Sequence, residues 1–180
     1  MNKLYVSILA ILFSSCIVVV GNSEQKATEK QSNSYFSERN KVNNFLDQWH
    51  QEVANADFEA YFGKMSSNSI FIGTDASENW TLQQFKDFAK PHFDKKKTWD
   101  FKALERNVYF SSKSDIVWFD ELLDTWMGVC RGSGVLSNKN GELKIEHYVL
   151  SVVIPNDDVN KVIEIKKNKD SQIIQNYKNQ

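Results

Sequence analysis

A chain of 180 residues with 41% hydrophobic and 13% aromatic content carries enough apolar side chains to close one core, and its length favours one domain over two. Lysine and arginine (22) nearly cancel aspartate and glutamate (23), for a formal net charge of -1. With no basic excess to neutralise phosphates, the composition argues against nucleic acid as a partner.

Residues 1–21 read as a signal segment, because Lys3 gives a positive start and Leu4 to Gly21 is apolar apart from Ser7, Ser14 and Ser15. Three outcomes fit. The stretch Leu12-Phe13-Ser14-Ser15-Cys16 suits lipidation at Cys16, cleavage suits the region of Gly21 or Ser23, and the run approaches the ~20 residues of an uncleaved anchor. Each delivers the domain outside the cytoplasm, periplasmic or membrane-anchored, and touches the membrane only through this segment or its lipid. Cys130 is then the one remaining thiol, so no internal disulfide is expected. It lies in an apolar strand segment, where a small buried hydrophobe is the simplest reading.

Residues 22–40 are Gln, Lys, Glu, Ser and Asn with almost nothing to bury, which predicts a flexible tether. The folded domain is read as 41–165. Val42, Phe45, Leu46, Trp49 and Val53 recur at helical spacing and predict an amphipathic helix to about Asn55. Asp57 can cap a second helix bearing Phe58, Tyr61, Phe62 and Met65, and Thr81 with Gln84 has the capping-box spacing for a third. Pro91 predicts a kink or restart of that helix near His92. Between helices two and three, Ser69 to Thr74 reads as a strand.

After Lys97 the runs Trp99–Phe110, Ile116–Trp126, Val129–Leu136 and Leu143–Ile154 are rich in strand formers and separated by turn residues. Asn140-Gly141 suits a tight hairpin turn. Asp157 can start a short terminal helix, and 166–180 reads as a polar tail. Helices first and a meander afterwards predicts an α+β fold, with three N-terminal helices packed against a strongly curved, mainly antiparallel sheet.

The segments Trp118-Phe119-Asp120-Glu121-Leu122, Met127 to Leu136 with its Arg131-Gly132-Ser133-Gly134, Gly141 to Ile145, Tyr148 to Ser151 and Ile154-Pro155-Asn156-Asp157 resemble the SnoaL-like branch of the nuclear transport factor two-like superfamily over roughly Val42 to Val162. The resemblance implies a cone in which a bent sheet wraps a long helix and leaves a cavity at its open end. It implies a pocket rather than a reaction, since the superfamily holds isomerases, cyclases, dehydratases and accessory domains. Relatives often carry Trp where Leu143 stands and His where Val149 stands, which implies a more apolar pocket here.

Strand alternation puts Trp118, Asp120 and Leu122 on one side, as it does Arg131, Ser133 and Val135, and Ile145, His147 and Val149. If these sets face the cavity, Asp120 and His147 are the candidate acid/base groups, and Trp49, Tyr61, Trp118, Arg131, Ser133 and Val149 the candidate ligand contacts. The bland reading of Asp120 and Arg131 is an ion pair between strands. Asp75, Glu78 and Trp80 fall where a cavity mouth would be, and the bland reading makes them solvated turn formers. No histidine has a metal-ligand partner at short spacing, so neither metal nor cofactor is expected. Tyr148, Leu150 and Val152 alternate the other way and suggest a homodimer through the outer sheet face.

These readings favour an exported module binding a small hydrophobic or amphipathic molecule. An isomerase or lyase acting on a small carbonyl compound is the second reading. An accessory domain with a filled cone is the third.

Overall fold

The computed structural model describes residues 20–179, with side chains from 34 onward. The signal segment and Cys16 lie outside the described residues. Two units divide between Glu38 and Arg39, and the second holds the sheet, the remaining helices and every site residue described below.

Helix α1 spans Val20–Ala54. It runs through the stretch read as a tether, where Gln, Lys and Glu, poor at burying surface, are nonetheless good helix formers. Its Val42, Leu46, Trp49 and Val53 are at most 1% exposed, as the spacing predicts. Helix α2 (Phe58–Gly63) is capped by the Asp57 carboxylate, which accepts from the Ala60 amide at 3.0 Å. Helix α3 (Leu82–Asp94) opens on the complete Thr81/Gln84 capping box. Pro91 does not end it. The carbonyl deprived of its donor belongs to Asp87, which is exposed, so water can take the place of the missing amide.

Six strands form one sheet: β1 (Met65–Ile72), β2 (Asn79–Thr81), β3 (Lys102–Phe110), β4 (Ile116–Thr125), β5 (Gly128–Lys139) and β6 (Glu142–Val152), in the order β2-β1-β6-β5-β4-β3. All neighbours pair antiparallel except β1 and β6. The turn into β6 uses Asn140 (φ 53°) and Gly141 (φ 87°), the left-handed pair expected of Asn-Gly. Strand β2 is short enough to read as loop in the sequence; it pairs with β1 through Phe71 and Trp80. A 3-10 turn at Asn156–Asp158 leads into helix α4 (Val159–Lys178), so the segment read as a polar tail is helical. Among the described residues no helix is long and apolar enough to cross a membrane.

One sheet face packs on α1, α2 and α3 through a single apolar cluster. On β4 the inward set is Val117, Phe119, Glu121, Leu123 and Thr125, every one buried. On β5 it includes Cys130, Gly132, Gly134 and Leu136, and on β6 Leu143, Ile145, Tyr148 and Leu150.

Candidate functional site

The alternation of the meander is therefore opposite to the sequence expectation. Trp118 is 44% exposed and stacks on Tyr109 of β3 at 6.0 Å on the outer face. Arg131 is exposed, and Asp120, Ser133, His147 and Val149 are half-buried on that same outer side. Asp120 forms no ion pair with Arg131; its Oδ1 accepts from Asn107 Nδ2 at 3.3 Å. Of the predicted contacts only Trp49 and Tyr61 lie inside, stacked on each other at 5.0 Å. Tyr148 and Leu150, read as an outer strip, are 1% and 5% exposed on the inner face. The physical reason is a choice between two phases. The outward phase of β4 holds two aspartates, and the inward phase holds one glutamate among apolar residues.

That glutamate is the centre of the interior. The Glu121 side chain is 0% exposed. Its Oε1 receives His50 Nε2 at 2.9 Å and the Tyr148 hydroxyl at 3.0 Å, while Oε2 receives Arg106 Nε at 2.8 Å. Arg106 stands directly opposite Glu121 in the β3–β4 register and continues to α1, donating through Nη1 to Asp47 Oδ1 (2.8 Å) and the Asn43 carbonyl (3.1 Å). A buried carboxylate is tolerable because these three donors satisfy it. Burial pushes the Glu121 carboxyl up, but the hydrogen bonds and electrostatic attraction of His50 and Arg106 outweigh it, and the group ionises below the ordinary glutamate range. Burial and the Glu121 charge push the Tyr148 phenol well above its ordinary value, so it remains a neutral donor.

Two glycines make room for this network. A Cβ on Gly132 would stand 2.2 Å from the Tyr148 hydroxyl oxygen and 3.0 Å from Glu121 Oε1; one on Gly134 would meet the Phe119 ring at 2.8 Å and the His147 carbonyl at 2.6 Å. In Arg131-Gly132-Ser133-Gly134 it is the glycines that face the interior.

The cone is filled. Between Trp49, His50, Tyr61 and Tyr148 only about 10 Å³ remains, about the volume a single water requires. Larger spaces lie at its edges. At the mouth, about 170 Å³ is lined by Phe71, Trp80, Phe85, Phe88, Trp99, Phe101, Trp126 and Met127, with Thr74 and Glu78 as the polar side chains. Phe71 and Phe85 stack at 3.9 Å, and Trp80 and Phe88 at 4.5 Å. A second cleft of about 310 Å³ opens beside α1 and the start of β3, where His50 meets Asp47, Gln51, Asp100 and Lys102.

Residues 42–155, well over half of the chain, match the SnoaL-like domain family. The chain belongs to that family. Solved structures agree on the fold of this SnoaL-like domain. It is similar to a domain of unknown function with a cystatin-like fold from Nostoc punctiforme (12% identity, 80% of this chain and 98% of that one, TM-score 0.56). It is also similar to an NTF2-like protein of unknown function from Pseudomonas putida (10%, 67% and 90%, 0.55) and to the association domain of C. elegans CaMKII (16%, 67% and 99%, 0.55). No curated protein matches the chain.

Sequence reasoning passed over Glu121, Arg106 and Tyr148 as site residues of the SnoaL-like domain, and set His50 aside as a helix-end residue. One signal was available: in the phase Val117, Phe119, Glu121, Leu123 a single charge interrupts apolar positions, and such a charge must be paired to be buried.

Proposed function

We propose that this SnoaL-like domain is a binding module that holds a small, largely apolar molecule at the mouth of its cone, in a chain exported from the cytoplasm. The observation that carries the reading is the aromatic mouth itself. Seven aromatic side chains line one concave space, with two polar side chains at hand. Its volume of about 170 Å³ lies below the roughly 300 Å³ at which drug-sized pockets begin, so the ligand is small or inserts only one end. Trp126 is 81% exposed at the rim and can be removed without opening the core.

The test is native mass spectrometry of the chain purified from its own host. A small molecule that accompanies the wild type and is lost from Trp126→Ala supports the reading; a bare mass for both argues against it. Export rests on the N-terminal apolar run, and cell fractionation with the intact mass of the mature chain tests it. A cytoplasmic chain that retains Met1 refutes it.

A second reading, proton transfer on a small carbonyl compound, is favoured by His50. Glu121 is ionised and can only accept, so His50 Nε2 carries a hydrogen and Nδ1 is the ring nitrogen left to act in the 310 Å³ cleft. Solvent-deuterium exchange into enolisable ketones, present with wild type and absent with His50→Gln, would support it. No exchange with either would remove it.

A homodimer through the outer sheet face is the partner reading. The exposed Tyr109–Trp118 stack supports it, as does the likeness to an association domain.

A further inference from the structure

We propose that the mouth pocket selects an organic cation, a small alkylammonium group, through Glu78 and its aromatic walls. This rests on the reading of the mouth as the binding site and names the chemistry of its ligand.

Glu78 is the one ionisable side chain among the residues that line the mouth. Its position is fixed by the hairpin between β1 and β2. The Gly73 amide donates to the Glu78 carbonyl at 2.9 Å, the Glu78 amide donates to the Asp75 carbonyl at 2.9 Å, and Glu78 Oε2 accepts from the Asp75 amide at 3.2 Å. The carboxylate lies folded over Gly73, itself a wall of the pocket: a Cβ there would stand 2.1 Å from Glu78 Oε2. Among the described residues no Lys, Arg or His comes within ion-pair distance of it. Glu52, by contrast, pairs with Lys64, and Glu121 with His50 and Arg106, while half-buried Asp120 and Glu146 are held by the neutral donors Asn107, Ser66 and Ser137.

Lys169 acts electrostatically on the neighbouring Asp75, but Glu78 has no ion-pair partner of its own, and such a carboxylate at the edge of an apolar slot attracts a cation. The walls then decide which cation. The walls are aromatic, Trp80 and Trp99 being stacked on Phe88 and Phe85, and Thr74 and Glu78 are too few oxygen ligands to replace a hydration shell, so a bare metal ion is disfavoured and an alkylated ammonium is favoured. A neutral apolar ligand would use the walls and leave Glu78 unpaired. An anion would meet its repulsion.

The experiment compares choline with its neutral carbon isostere, in which a tert-butyl group replaces trimethylammonium, by ligand-observed NMR titration of the full chain. The two differ in charge and hardly in shape. Choline should bind roughly ten-fold more tightly than the isostere. Glu78→Gln, which keeps an oxygen to accept from the Asp75 amide, should bring the affinities for choline and the isostere to within about two-fold of each other. Trp126→Ala should weaken both. Equal binding of the two ligands, or a preference that survives Glu78→Gln, overturns the cation inference and leaves the mouth as a neutral binding site. Binding of neither ligand overturns both the inference and the reading of the mouth on which it rests.

Discussion

The Tyr148 hydroxyl lies over the backbone of Gly132, so close that a single added methyl group would occupy its place, and from there it donates to Glu121 at 3.0 Å. The glycine is thus a steric condition for the buried network. Gly132→Ala should drive the phenol off the carboxylate and overpack the interior, at a cost of about 1–3 kcal/mol. Chemical denaturation checks this, with Tyr148→Phe as the reference that loses the hydrogen bond and keeps the space. If Gly132→Ala is as stable as wild type, the close approach is not maintained in solution.

Glu121 makes stability depend on acid. Its folded pKa lies below the ordinary value of 4.5, so its contribution is fully present above that value and is lost as pH falls through the folded value. Glu121→Gln removes the charge that His50 and Arg106 face and should cost ~3 kcal/mol at neutral pH. The gap between variant and wild type should then narrow below pH 4.5. Denaturation midpoints from pH 3 to pH 7 measure it, and a gap constant with pH would contradict the assignment.

The outer face offers a test of self-association. Trp118 is 44% exposed beside Tyr109, so a charge there should not disturb the inner core. Trp118→Glu is expected to turn a dimer into a monomer in light scattering at matched concentration while the thermal midpoint of the monomer is preserved. A wild type that is monomeric at every concentration removes the dimer.

Helix α3 carries one wall of the mouth through Phe85 and Phe88, and its first turn depends on the Thr81 cap. Thr81→Ala should cost about 1 kcal/mol. Because the capping box fixes the start of the helix, choline or isostere binding at the mouth should weaken with it. Unchanged stability would mean that Gln84 and water satisfy the freed amides.

The helical half of the fold was legible because its signals are local. Leu46 and Trp49 repeat at helical spacing, and Asp57 and Thr81 cap where caps belong. The strands were legible too, as was the Asn140-Gly141 turn. Which side of each strand faces inward was not. Period-2 alternation names two faces without ranking them, and Trp118 drew the reading toward its own phase although its partner is Tyr109 across the outer surface. Glu121 was hidden for the converse reason, since a charge belongs outside unless donors distant in sequence reach it, and His50, Arg106 and Tyr148 become its neighbours only in the folded sheet. The helix across 22–40 follows from helix propensity, which depends on backbone and rotamer freedom and not on burial.

Strand β1 sits between β2 and β6, and its parallel pairing of Phe71 with Tyr148 ties an early segment to the last strand of the sheet. Such a join closes late, because the intervening loop must be ordered before the contact returns anything. While the chain is being made, β1 waits with an open edge until β6 leaves the ribosome, and the ring of His50, Glu121 and Tyr148 cannot assemble before then. An interior that waits for its last strand is therefore completed in one late step, after every other segment of the sheet is in place.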